Sequence, residues 1–381
     1  MTSTIKDVAK RAKVSVSTVS NVINNKESVT KGLKKRVLEA VEELKYRPNR
    51  FAQGLPRKRT FKSNFVRIIG LSMPHYYSHG LKLMAAAVKY RAAEVEAQII
   101  EYLSENDYEK QRKQISEKIR RQVDAIICFP TNCREIEKSV QECNVADIPF
   151  ISLNRFTCGD VYAIVKSDDY KAGNDLGLCL VLGLKGRKGR ILEIEGEITD
   201  FNSIQRSTGF DDVVTKWPGL QVVRKYRCDW NAEKAKSCII RGLRDYPDIN
   251  VIFSHNDEMA IGALNALKEL GRDYPVDHPD HIILLGVDGN RFVLNSIRNQ
   301  FFDATAEQLL WEQGTKAVDL AMDAINGKVR YHPITLIPTT LITRENVDYV
   351  NNHWADYDLS LTGPFPVVKR GLRRSRLSTS K

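Results

Sequence analysis

The sequence predicts a small all-α helix-turn-helix head with a hinge helix, followed by a two-lobed α/β body. Three observations carry this expectation. Near the amino end, apolar residues recur at helical spacing in three short runs. From Val66 onward, apolar β-forming runs alternate with helical runs, the pattern of parallel sheets covered on both faces. About three hundred residues of that alternation exceed one comfortable hydrophobic core and divide into two lobes.

The first helix is placed over residues 4–13. Ile5, Val8, Ala9 and Ala12 share a face, Thr4 stands as N-cap, and Asp7 suits the positive end of the helix dipole. After Val14, Ser15 can cap a second helix over 16–24, where Val16, Val19, Val22 and Ile23 alternate with small polar residues. Two short helices joined by about three residues, the second polar on its outer face, make a helix-turn-helix. A third helix over 31–44 is expected to bury Leu33, Val37, Leu38, Val41 and Leu44. Pro48 can begin a short hinge helix that runs to Leu55, weakened by Gly54 and Pro56. Arg57, Lys58 and Arg59 lead out of it. The expected divisions are a head over 1–47, hinge and linker over 48–62, the body over 63–348, and an extension over 349–381.

In the body the expected strands are VRIIGLSM, AQIIEYL, DAIICFP, PFISLNR, GRILEIEG, QVVRKYRC, NVIFSHND, HIILLGVD and FDATAEQ. Helices are expected over 79–96, 107–121 and 134–144. The chain is expected to cross between lobes near 163–167, 284–288 and 335–343.

Charge is divided along the chain. Residues 1–62 hold 16 Lys/Arg against 5 Asp/Glu, and residues 369–381 hold 6 basic residues and no acid. The middle carries a net −6 within a total of +11. Basic ends on a mildly acidic body suit a polyanionic partner. For the tail alone, a solvated basic surface is an equal reading. The start MTSTIKDVAK has no apolar core of a secretory signal, and no run of ~20 apolar residues is present to span a membrane. The seven cysteines are odd in number and contain no C-x-x-C, which argues against a disulfide framework or a zinc site. They read as reduced thiols in a cytoplasm.

The head offers chemistry suited to DNA. Ser17, Ser20, Asn21 and Asn24 are short polar side chains on the second helix, and Asn pairs well with the adenine edge in the major groove. Lys6, Lys10, Arg11, Lys13, Lys31, Lys34, Lys35 and Arg36 supply phosphate-neutralising charge. Leu55, beside Arg50 and Gln53 on a basic element, can wedge a minor-groove base step.

The stretch IKDVAKRAKVSVSTVSNVINNKESVTKGLKKRVLEAVEELKYRPNRFAQGL resembles, without gaps, the head and hinge of the LacI/GalR family of bacterial repressors. With the α/β body, the likeness covers roughly residues 4–348. The resemblance implies Val16, Ser17 and Asn21 as base readers, and Leu55 with Ala52 as a minor-groove lever. The expected DNA-contacting set is Thr4, Ser15, Val16, Ser17, Asn21, Lys35, Arg50, Ala52 and Leu55. Gly54 and Pro56 depart from the smoother hinge of the family.

The body resembles periplasmic sugar-binding proteins of the ribose-binding type. MPHYY then implies Tyr76 and Tyr77 against a sugar, with His75 a weaker candidate. SLNR implies Asn154 and Arg155, where relatives often carry Asp-Arg. QRSTGF points to Arg206, CDW to Trp230, SHNDEMAIGAL to Asn256 and Asp257, LLGVDG to Asp288, and ATAEQ to Gln308. The chemistry is sound in itself. A sugar presents C–H faces to aromatic rings and hydroxyls to Asn, Arg, Asp and Gln, and strand C-terminal ends line the crevice of such sheets. Asp257 reads equally as the cap of the helix that follows it.

The implied protein is a DNA-binding transcriptional regulator, a dimer on a near-palindromic operator, controlled by a small sugar-like effector and needing no cofactor or metal. A sugar-binding transport protein is the alternative. An α/β enzyme is a poorer one: the glycines of GLKGRKGR precede a strand, and no Walker A, H-E-x-x-H or G-x-S-x-G sequence occurs. His255 is expected in a pocket loop, polar or solvent-facing.

Overall fold

The structure is a computed structural model of the 381-residue chain, and it describes residues 5–23, 31–44, 66–329 and 333–349. They form a head and a body, each taken by itself. The expected hinge helix, the linker and residues 350–381 lie outside the described residues.

The head contains α1 (Ile5–Ala12), α2 (Val16–Ile23) and α3 (Lys31–Glu43). Its core is Val8, Ala9, Ala12, Val19, Val22, Val37 and Ala40, with Val14, Val41 and Leu44 packed against it. The turn after α1 is a Schellman motif. Lys13 takes the left-handed position at φ 53°, its N–H donates to Lys10 O, and the Val14 N–H reaches back to Ala9 O at 3.0 Å. Ser15 caps α2 as its sequence position suggests: its Oγ accepts the Thr18 N–H at 3.1 Å. Leu38 departs from expectation and is 48% exposed. Leu33, Val37, Ala40, Val41 and Leu44 recur at i, i+4, i+7, i+8, i+11 on one face, and Leu38 falls off it.

The body is built on two six-stranded sheets. The first uses β1 (Arg67–Met73), β2 (Ala97–Leu103), β3 (Ala125–Cys128), β4 (Phe150–Leu153), β5 (Ala163–Ser167) and β11 (Ile334–Ile337), in the order β11-β5-β4-β3-β1-β2. The second uses β6 (Gly189–Glu195), β7 (Leu220–Arg227), β8 (Val251–Ser254), β9 (Ile283–Asp288), β10 (Ala304–Glu307) and β12 (Thr340–Thr343), in the order β12-β10-β9-β8-β6-β7. All pairings are parallel except β10 with β12. The short central strands AIIC and FISL are buried throughout, as a parallel sheet covered on both faces requires.

Helices α4 (His79–Glu94), α5 (Tyr108–Arg120), α6 (Glu137–Val145) and α12 (Leu310–Ile325) cover the first sheet. The second is covered by α7 (Asp169–Leu184), α8 (Phe201–Val214), α9 (Ala232–Asp245), α10 (Asp257–Glu269) and α11 (Arg291–Arg298). Helices α7 and α8 touch backbone to backbone. A Cβ at Gly173 would lie 2.0 Å from Arg206 O, and one at Gly209 would lie 2.0 Å from Tyr170 O, so only glycine fits at either place.

The chain crosses between lobes at three points: between β5 and α7, after β10, and between β11 and β12. The first and third fall where expected. The second corrects the expectation near 284–288, because that segment is β9, flanked by β8 and β10 inside the second sheet. The crossing comes one strand later, where Leu309 at φ 47° turns the chain into α12 against α4 and β3–β5.

Candidate functional site

The crevice is framed by the C-terminal ends of strands from both lobes, where loops place polar side chains at helix starts. From the first lobe, the turn after β4 puts Asn154 at φ 65°. Its amide nitrogen donates to Gln313 Oε1 at 3.0 Å and Gln308 Oε1 at 3.4 Å. Gln308, just past β10, donates in turn to Asp288 Oδ1 at 2.5 Å. Three residues expected at the site are thereby chained through hydrogen bonds from one lobe to the other.

Arg155 pairs with Asp200 of the opposite lobe at 2.7 Å, while also donating to the carbonyls of Pro130 and Thr131. Asp200 is the N-cap of α8. Two residues on, Asn202 donates from Nδ2 to Asn154 O at 3.0 Å and Oδ1 at 3.3 Å. Phe156 and Phe201 meet nearby, their ring centroids 5.5 Å apart.

Arg206 lies one turn further along α8. Its Nε and Nη2 hold Asp169 Oδ1 at 2.9 and 2.8 Å, and Nη1 donates to His255 O. Lys166 at the end of β5 also reaches Asp169. Trp230, at φ 63° after β7, lies against Gly196, where a Cβ would meet the indole at 2.2 Å. The Arg206 guanidinium stands 5.6 Å from its ring centre.

Asp288 sits at φ 139°, a backbone conformation that favours glycine, so its position is held at a strain cost. Burial pushes its carboxyl up to about 6, opposed by the nearby Arg206 charge. Asp257 underlies it, fully buried, accepting from Asn290 N at 2.7 Å and Thr305 Oγ1 at 2.8 Å. Burial, and then the charge of Asp288, raise the Asp257 carboxyl above the usual range. The helix cap considered for Asp257 belongs to Asn256, whose Oδ1 accepts the Met259 N–H at 2.9 Å.

Other expected residues have partners outside this network. The Tyr76 hydroxyl donates to Glu101 on β2, which Lys89 pairs at 2.7 Å. Tyr77 is 81% exposed and stacks on His75 at 5.0 Å. Of this loop, half-buried His75 feels the cleft: burial and then the Arg155 charge lower its pKa. His255 is neither solvent-facing nor a free pocket group. It is wholly buried, bridging Glu193 Oε1 at 2.9 Å and Ser203 Oγ at 2.9 Å. Sequence reasoning missed Lys166, Asp169, Asp200, Asn202 and Gln313. Asp200 and Asn202 stand in a TDFNS run that signals only a helix start, and Gln313 is the one buried amide in an amphipathic helix.

On the head, Val16 is 42% exposed at the start of α2, and the Lys35 side chain is exposed with Glu39 at 3.9 Å. Ser17 and Asn21 belong to α2 four residues apart, on one helix face by spacing. Their side chains lie outside the described ones, as do Thr4, Arg50, Ala52 and Leu55 altogether.

The fold and this cleft define a two-lobed ligand-binding body attached to a helix-turn-helix head. Residues 69–329 match the periplasmic binding protein domain, and residues 4–49 match the bacterial regulatory proteins of the lacI family. The chain belongs to the LacI/GalR family: it is a DNA-binding transcriptional regulator with a sugar-responsive body of periplasmic-binding-protein type. It is 28% identical to the ribose operon repressor of Halalkalibacterium halodurans over 90% of this chain and 96% of that protein. It is 29% identical to the ribose import binding protein of Bacillus subtilis over 68% of this chain and 82% of that protein. A Bacillus halodurans solute binding protein with bound myo-inositol superimposes with a TM-score of 0.69 at 28% identity, over 76% of this chain and 98% of that one. The family and these relatives are regulators and binding proteins. Among the described residues, no helix is long and apolar enough to cross a membrane.

Proposed function

We propose that this regulator is a dimeric repressor whose hold on a near-palindromic operator is set by a neutral monosaccharide or cyclic polyol of pentose or hexose size. The carrying observation is the charge pairing in the cleft. Arg155 is matched by Asp200, Arg206 and Lys166 by Asp169, and Asp288 by Gln308 and the nearby Arg206. A site whose charges already have partners favours a ligand of many hydroxyls and no net charge. Trp230 offers a ring face, and Asn154, Arg206, Asp288 and Gln308 offer hydrogen bonds, with Arg155 closing the lobes. Asn256 serves through the helix it caps.

The ribose named in two relatives and the myo-inositol in a third support the same class of effector. In the head, Ser15, Val16, Ser17 and Asn21 read the major groove, Thr4 and Lys35 hold phosphates, and Arg50, Ala52 and Leu55 engage the minor groove. The divisions 1–47, 48–62, 63–348 and 349–381 serve as head, hinge, body and extension. The protein works where the operator is, in the cytoplasm, and performs no catalysis. A transport role would leave the head without use.

Effector closure shifts the lobes and so couples to DNA through one shared free energy. Retardation of genomic fragments, with and without D-ribose, D-allose or myo-inositol, tests the reading. A protein that retards no fragment, or whose retardation ignores every polyol it binds, overturns it.

A further inference from the structure

We propose that residues 354–361 of the same chain dock in an apolar groove of the second lobe, at the end of its sheet away from the crevice. The groove holds about 1010 Å³ and lies between the C-terminal half of α7 and the edge strand β12. Ile283 and Leu285 of β9, Phe302, and Leu341 of β12 form its floor. Two leucines of α7 stand at its rim, Leu178 at 46% exposed and Leu182 at 76%. They are four residues apart and so share a helix face. An exposed aliphatic pair beside an apolar floor marks a surface suited to being covered.

The position of the carboxyl end says what covers it. Arg344 and Glu345, just past β12, line the groove themselves. Arg298 fastens the chain beyond them: its Nε pairs with Asp348 at 2.8 Å, and its Nη2 donates to Val347 O at 2.9 Å. Its neighbour Ile297 also lines the groove. Residues from 350 onward, outside the described residues, therefore leave from the groove's margin. A chain advancing at most about 3.6 Å per residue keeps Trp354 within about 18 Å of Tyr349. Residues 354–361 read WADYDLSL. Tyr357, Leu359 and Leu361 alternate with Asp358 and Ser360, the pattern of an extended segment with one apolar and one wet side, and Trp354 adds a large apolar ring ahead of them. Charge agrees. Residues 350–362 hold Asp356 and Asp358 and no Lys or Arg, whereas Lys185 and Arg187 stand at the α7 end of the groove. The groove acids Asp175 and Asp303 are already paired, by Lys171 at 2.5 Å and His281 at 3.0 Å. A segment tethered this close meets the groove at a higher effective concentration than a free partner does.

Cys179 lines the groove and serves as a native probe. In the full chain its reaction with a maleimide, followed by peptide mass spectrometry, should be slow. The paired substitution Trp354→Ser and Leu359→Ser should speed it roughly tenfold, because loss of a cover raises the open population. Leu182→Ser, at a rim position 76% exposed, should do the same without loss of fold. Cys238 on α9 reports any general loosening and should react as in the unaltered protein. Cys179 rates that ignore both sets of substitutions overturn the proposal, and so does equal acceleration of Cys238. Leu359→Cys then identifies which chain supplies the segment. Mild oxidation with diamide should join Cys179 to the introduced thiol in a product that runs as a monomer on a non-reducing denaturing gel. A covalent dimer through these two thiols assigns the groove to a second copy, and absence of any bond leaves it to another occupant; either result overturns the proposal.

Discussion

Arg206 holds Asp169 through two nitrogens, at 2.9 and 2.8 Å from a single carboxylate oxygen, with 2% of the arginine exposed. Asp169 opens α7 directly after the chain crosses from β5, and the glycine contact between α7 and α8 lies alongside. The arginine proposed above to meet a sugar is therefore also a brace of the second lobe. Breaking such a buried pair leaves an uncompensated charge and costs about 3–5 kcal/mol. Arg206→Ala is expected to lose that much body stability together with all effector binding. Urea unfolding and calorimetry check both. A variant that melts like the parent yet binds no polyol would separate the brace from the site.

With Asp288 facing the effector as proposed, affinity should depend on pH. Its carboxyl titrates at about 6, and only the ionised form is a full acceptor for polyol hydroxyls. Affinity should hold above pH 7 and decline as pH falls through about 6. Asp288→Asn should bind weakly and without that slope. Calorimetry from pH 5 to pH 8 distinguishes the two, and an identical slope in the variant assigns the titration to another group.

Lys118 on α5 is a standing cost to the first lobe. It is wholly buried, its Nζ has no hydrogen-bond partner among the described residues, and it lies 4.2 Å from the centre of the Tyr102 ring. Burial pushes its pKa down to about 8 from 10.5. Between those values the unfolded chain binds more protons than the folded one, so stability rises with pH across the window, and below it the full cost applies. Lys118→Met should stabilise the protein by about 2–3 kcal/mol at pH 7 and far less at pH 10. Denaturant midpoints at the two pH values give the answer.

The roles proposed for the head separate base reading from charge. Asn21→Ala should cost about 1–3 kcal/mol on the cognate operator and relax preference at one position per half-site. Lys35→Ala should weaken all sequences alike and reduce the salt slope by about 1. Titrations of operator and scrambled DNA at several salt concentrations measure both. Equal losses on both DNAs for Asn21→Ala would remove its base-reading role.

Much of the fold was legible because the signals are local. The run AQIIEYL is β2 to the residue, and Ser15 announces the start of α2 by chemistry alone. What the sequence could not show depended on partners distant in sequence. Tyr76 stands in an aromatic loop at a strand end, yet its hydroxyl finds Glu101 on the neighbouring strand. His255 follows a strand in a polar run, yet Glu193 on adjacent β6 and Ser203 on α8 enclose it. The crossing after β10 was misplaced by one strand because neither β9 (ILLGVD) nor β10 (ATAE) carries a signal that marks it as the last of its sheet before the chain returns. Only the sheet order shows which is the last before the chain returns. Asn202 was invisible for the same reason: its meaning lies in the orientation of one amide against a residue 48 positions earlier.

The three crossings also dictate an order of assembly. Strands β6 to β10 come from one unbroken stretch, so most of the second sheet can form as soon as that stretch exists, with β12 added at its edge. The first sheet has no such independence. Its edge strand β11 pairs Ile334 with Ile164, and its covering helix α12 begins only at Leu310, each after the whole second sheet has intervened. Closing so long a loop is slow, and the early five-stranded half waits with an open edge and an uncovered face. During synthesis most of the second lobe can form first although it comes second, and the first is completed only by residues from Leu310 onward. A truncation just after β10, near residue 309, removes α12 and β11 and should therefore cripple the lobe that begins the body more than the one beside the cut, which loses β12 and the turn after it.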